Sequence, residues 1–204
     1  MPDIAIRQAT FDDRLGELRF TLEHVCGLLE ASLLAVGDLS DSDTLLVIDE
    51  VRRDNDQVQT GCADAKREAL ALALQVPSAS CLPPLLTVYR DARVLAKMGW
   101  LVVELAEAGA PMAEPCRDVL RAVQSKMLAA TADLYVVMTE GDRRRANDVG
   151  STSTLGMSTL DGSQLHIGRR TSAGRKTARR LVRTGERWTS HAMSISRRAA
   201  AAAA

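Results

Sequence analysis

Apolar residues recur every three or four positions along most of the chain. Phe11, Leu15, Leu18, Leu22, Val25, Leu29 and Val36 form the first such stripe, the signature of an amphipathic helix. Thr10 and Asp13 suit its N-cap and Gly37 its end. Ser40 to Asp43 cap a second helix carrying Ile48, Val51, Val58, Cys62, Ala65, Ala69 and Leu72, broken by Pro77-Ser78-Ala79-Ser80. Pro83 and Pro84 fit only the first turn of a third helix, which bears Leu85, Tyr89, Ala92, Ala96, Gly99, Val103 and Ala106 and stops at Gly109.

Pro111 opens a fourth helix through Met112, Cys116, Val119, Val123, Met127, Ala130, Leu134 and Val137. Residues 142–168 carry the weakest pattern; Ser, Thr and Gly predict a broken or poorly formed fifth helix there. Thr171 or Ser172 caps a sixth, with Ala178, Leu181, Gly185, Trp188, Ala192 and Ile195 on one face. Helices of this length joined by short links favour antiparallel neighbours. Lys97-Met98-Gly99-Trp100 and Arg183-Thr184-Gly185-Glu186 are related by a spacing of 86 residues. The expected fold is therefore all-α, two tandem three-helix bundles: 1–109, then 110–198, with a poly-Ala tail at 199–204.

Composition supports helix over sheet. Only 3% of the 204 residues are aromatic, too few for a β-sandwich or barrel of this size. The longest continuous apolar runs, such as Leu70–Leu74, are far shorter than a bilayer span, and no secretory signal pattern opens the chain. A cytoplasmic location is expected. Cys26, Cys62, Cys81 and Cys116 have no paired spacing and read as reduced core thiols.

Charge changes the picture most. The formal net charge of zero hides 16 basic against 25 acidic residues through Leu165, then 10 basic residues and one acid, Glu186, from His166 onward. Arg175, Arg179, Arg183 and Arg187 recur every four residues as a basic stripe. Pairing with the acidic first and second helices, within the chain or across a dimer, is its first explanation. An acidic partner or membrane headgroups come second, and duplex nucleic acid third.

Catalytic signals are sparse. His24, His166 and His191 are scattered, and Asp91 and Asp118 read as carboxylates on solvated helix faces. The near P-loop Gly168–Thr177 has misplaced glycines and no preceding strand. No cofactor and no catalytic residue is assigned.

One stretch carries a family resemblance. Ala73-Leu74-Gln75-Val76-Pro77, through Arg90, to Lys97-Met98-Gly99 resembles the PhoU phosphate-uptake regulators without a gap from Ala73 to Trp100. Ala178-Arg179-Arg180-Leu181-Val182-Arg183-Thr184-Gly185-Glu186 is similar to the second repeat of that family. The resemblance implies a cytoplasmic, non-enzymatic adaptor that restrains a phosphate ABC transporter and holds a phosphate-sensing histidine kinase repressed. It also implies a homodimer, with the transporter ATPase and the sensor kinase as partners. A DNA-binding or other regulatory helical protein using the basic C-terminal helix is the alternative.

Many PhoU proteins carry iron or zinc clusters on an E/D-x-x-x-D motif in each repeat. Here those positions read Ala96 and Trp100, then Val182 and Glu186, and a further family Asp corresponds to Val94. Asp54 and Asp56 fall near other family carboxylates, whose second-bundle counterparts lie among Ser151–Thr154. With three of four motif carboxylates gone, no metal is expected. Trp100 and Trp188 are expected to pack in the core or to occupy the volume that homologues give to the cluster. The candidate interaction residues are Arg90, Arg175, Arg179, Arg183 and Arg187.

Overall fold

A computed structural model describes residues 2–37, 44–75, 79–109, 114–140 and 172–202. They form five long helices: α1 (Pro2–Gly37), α2 (Thr44–Ala73), α3 (Leu82–Gly109), α4 (Glu114–Glu140) and α5 (Ser172–Ala202). A short 3-10 turn, Ala79–Cys81, leads into α3. The fifth helix expected within 142–168 lies outside the described residues, as do Pro111, Met112 and the caps Ser40 to Asp43.

The first helix corrects its expected start. It begins at Pro2, not at Thr10, since proline suits an opening helical turn where its missing N–H costs nothing. Its sequence stripe is buried from Phe11 to Val36, as are the stripes of α2 and α5. In α3, Tyr89 and Ala96 are only half-buried, while Val88, Leu95, Met98, Leu101, Val102 and Leu105 are buried. This helix packs against α1, α2 and α5, so its apolar surface exceeds one stripe.

Side-chain contacts fix the directions. Ser32 donates to Asp54 at 2.8 Å and Arg14 pairs with Glu68, so α1 and α2 are antiparallel. Gln59 donates to the Ala96 carbonyl at 2.7 Å, and Arg52 pairs with Glu107 at 2.9 Å, which sets α3 antiparallel to α2. Gln124 donates to the Leu33 carbonyl at 2.9 Å and Cys26 meets Met138, so α4 runs against α1. Arg187 reaches Glu104 at 3.0 Å and Arg198 reaches Asp91 at 2.7 Å, so α5 runs against α3. It follows that α4 and α5 are parallel, with Cys116 beside the Gly174 carbonyl at 3.7 Å.

The helices stack in layers: α2 outermost, α1 and α3 in the middle, α4 and α5 behind. One continuous apolar core draws on all five. Ala9–Gly37 in α1 is long and apolar enough to cross a membrane, yet its stripe is buried against the neighbouring helices.

Candidate interaction surface

Helix α5 holds Arg179, Arg183 and Arg187 outward because its apolar positions face α3 and α4. Leu181, Trp188, Ala192 and Ile195 are buried; Arg179, Arg183 and Arg187 are exposed. Arg90 is exposed on α3. Arg175 belongs to α5 by its backbone, and its side chain lies outside the described residues. Steps of four residues drift by about 40° on a 3.6-residue helix, so the stripe winds around α5 and its last member, Arg187, arrives at α3.

Internal pairing of the basic segment is real, but its partner differs from the expected one. Arg187 and Arg198 both pair with α3, at Glu104 and Asp91, and not with α1 or α2. The layered packing explains this: α3 lies against α5, whereas α2 is on the far side of the molecule.

Asp91 is also a correction. It is buried, not on a solvated face. Burial pushes its carboxyl up to about 6, against the pull of the Arg198 guanidinium. Arg198 also donates to Ser194 at 2.6 Å. The available signal is periodicity: Asp91 sits three residues after Val88 and four before Leu95, a core position. Asp118 is exposed and lies 3.6 Å from Arg121. His191, half-buried, has its pKa lowered by desolvation first, then by Lys97 and Arg187.

Among the described residues, no group of three or more His, Cys, Asp or Glu side chains converges to hold a metal ion. Ala96 and Val94 are half-buried, and Val182 is buried. Glu186 is exposed on α5. Asp54 accepts from Ser32, while Asp56 is exposed. Gln59 bridges Asn55, at 3.1 Å, and the Ala96 carbonyl.

The two tryptophans separate. Trp188 is fully buried, with 0% exposure, whereas Trp100 is 55% exposed. Trp100 therefore does not fill an interior volume. At Gly99, an added Cβ would stand 2.5 Å from Asn55 Oδ1 and 3.0 Å from Val58 Cγ1. Gly99 thus presses against α2, while Trp100, the next residue, points away.

Comparison with family models and with curated proteins finds no match. The structure is similar to the crystal structure of PhoU from Pseudomonas aeruginosa, with a TM-score of 0.78 and 19% sequence identity. The alignment covers 93% of this chain and 96% of that one. The chain has a PhoU-like fold. Within that fold, the pairs Glu104–Arg187 and Asp91–Arg198 lie where the C-terminal helix meets α3. The PhoU-like scaffold is retained on a divergent sequence, because buried apolar periodicity can be kept while surface side chains change.

Proposed function

We propose that this chain is a non-catalytic, PhoU-like cytoplasmic adaptor that regulates phosphate uptake and phosphate-responsive signalling through protein contacts. The carrying observation is the likeness to a PhoU structure over nearly the whole of both chains. The exposed residues Arg90, Arg179 and Arg183 supply cationic contacts for an acidic partner surface. The partners proposed are a phosphate transporter ATPase and a sensor histidine kinase, with the adaptor acting as a homodimer.

Activity through contacts suits the scaffold. Rigid antiparallel helices present fixed side-chain patterns over a long surface, and partner choice then rests on shape and charge. The test is deletion of the gene with a phosphate-starvation reporter, beside affinity capture of the tagged protein. Reporter activity at high phosphate, with capture of the ATPase or the kinase, supports the reading. An unchanged reporter together with salt-sensitive binding to duplex DNA would replace it by a nucleic-acid-binding regulator.

A further inference from the structure

Helices α1 and α2 leave an open groove of about 370 Å³ between them. Thr21, Val25 and Leu28 of α1 line it opposite Asp56, Thr60 and Gly61 of α2. Val25 is buried and Leu28 packs against the core, so the floor is apolar. The helices come close at Gly61, where an added Cβ would stand 3.1 Å from Val25 Cγ2. With Ser32 bound to Asp54, this sets an antiparallel register in which Gly61 is level with Val25. The order along the groove is therefore Asp56, Leu28, Thr60, Val25 with Gly61, and then Thr21. Thr60 lies roughly 6 Å along the axis from Asp56, and Thr21 roughly 7.5 Å beyond Thr60. Side-chain oxygens thus alternate with apolar patches.

Those oxygens are acceptors with their donors already spent. Thr21 Oγ1 donates to the Glu17 carbonyl at 3.0 Å, and Thr60 Oγ1 to the Asp56 carbonyl at 2.9 Å. A hydroxyl has one proton and two lone pairs, so each threonine offers the groove only lone pairs. The Asp56 carboxylate is exposed and has neither an ion pair nor a hydrogen bond among the described residues. His24 and Gln57 also line the groove, and a neutral imidazole or a turned amide adds a further acceptor. The field has the matching sign. Acidic residues outnumber basic ones by six to three on α1 and by six to four on α2.

An occupant must therefore bring hydrogen-bond donors and positive charge, separated by short apolar links. A bare divalent cation would need several carboxylates around it, and among the described residues none converge. A linear aliphatic polyamine has the complementary order, ammonium groups joined by a few methylenes. We propose that the α1–α2 groove binds such a polyamine. One ammonium meets the Asp56 carboxylate, the next Thr60 Oγ1 and the last Thr21 Oγ1, while the methylenes lie on Leu28 and Val25. The charge-assisted bond to Asp56 supplies most of the affinity, and the spacing of the threonines selects chain length. The inference is independent of the regulatory role proposed above.

The test is isothermal titration calorimetry of the full chain at pH 8 with spermidine, putrescine, magnesium ion and the neutral pentane-1,5-diol. Spermidine should bind most tightly, putrescine several-fold more weakly, and the diol not at all. Asp56→Asn should weaken spermidine binding by about tenfold, and Thr60→Val by about threefold. Both positions are exposed, so neither change disturbs the core. Asp118→Asn, which removes an exposed carboxylate on α4, should bind as the parent does. Helical circular dichroism of each variant verifies folding. No binding of spermidine up to about 10 mM, a free energy of under roughly 3 kcal/mol, overturns the proposal. So does unchanged affinity in Asp56→Asn. Equal losses in Asp56→Asn and Asp118→Asn, with magnesium binding as tightly as spermidine, would replace the groove by diffuse attraction to an acidic surface.

Discussion

Arg198 donates from Nε to Asp91 Oδ1 at 2.7 Å, joining the end of α5 to the first half of α3 across 107 residues of sequence. The carboxylate is almost wholly buried and the guanidinium is mostly so. One guanidinium nitrogen, Nη2, is buried without a hydrogen-bond partner. The pair fixes the relative position of two helices at a real desolvation cost.

That cost has a sign in pH. The Asp91 carboxyl rises from an ordinary 3.8 to about 6 in the folded chain. Between those values the folded chain holds a proton that the unfolded chain has lost. Raising the pH through this window therefore removes stability, roughly 2–3 kcal/mol in all. Asp91→Asn should flatten this part of the profile, measured as urea midpoints from about pH 4 to pH 7. A profile with the same slope in both proteins would show that Asp91 does not titrate in this window.

Removing the cation should act mainly at neutral pH. Arg198→Ala leaves a buried, unpaired carboxylate and is expected to cost about 3 kcal/mol near pH 7. Near pH 5, where Asp91 is largely protonated, the loss should be much smaller. Chemical denaturation at the two pH values tests the difference. Equal losses would instead assign the effect to packing of the arginine stem.

Glycines in these helices fall into two groups with opposite expectations. Gly99→Ala drives a methyl group into Asn55 and Val58, and should destabilise by about 1–3 kcal/mol. Gly27 and Gly16 have nothing within 4 Å of an added Cβ. Alanine there should raise stability by about 0.5–1 kcal/mol, through helix propensity alone. Denaturation midpoints of the three variants give the comparison.

The tryptophans provide a spectroscopic check on the layering. Trp188 lies in the core shared by the helices, while Trp100 is open to solvent. Trp188→Ala should cost about 3–5 kcal/mol, and Trp100→Ala only about 0.5 kcal/mol or less. In Trp188→Phe the remaining emission should be red-shifted and readily quenched by acrylamide. In Trp100→Phe it should be blue-shifted and protected.

All four cysteines are buried. Burial pushes the Cys62 thiol up to about 12 and raises Cys26 still further, with Cys62 adding to the effect. Thiolate is the reactive form, so iodoacetamide should leave these two unmodified in the native chain and label them on unfolding. Mass spectrometry reads the number of adducts. Rapid native labelling at Cys62 would mean that the α2 core opens often.

Local periodicity specifies the inner faces of three of the described helices. In α1, α2 and α5 the apolar stripe coincides with the buried surface, because a helix of known period has only one way to gather residues spaced by three and four. The family resemblance of Ala73 to Trp100 pointed to the fold that the structure displays. Periodicity also placed Arg179, Arg183 and Arg187 on the exposed side of α5. It did not say which helix Arg187 would meet, nor that Asp91 would be buried and bound by Arg198. Those outcomes depend on which helices become neighbours in the layered stack, and neighbour choice is a long-range property that no local spacing encodes. The same holds for Trp100 and Trp188: each stands close to the glycine of its repeat, yet the close approach of α3 to α2 at Gly99 leaves one outside, and the shared core takes in the other. Local sequence chose the faces, and tertiary packing chose their partners, because burial energy belongs to the contact and not to the residue alone.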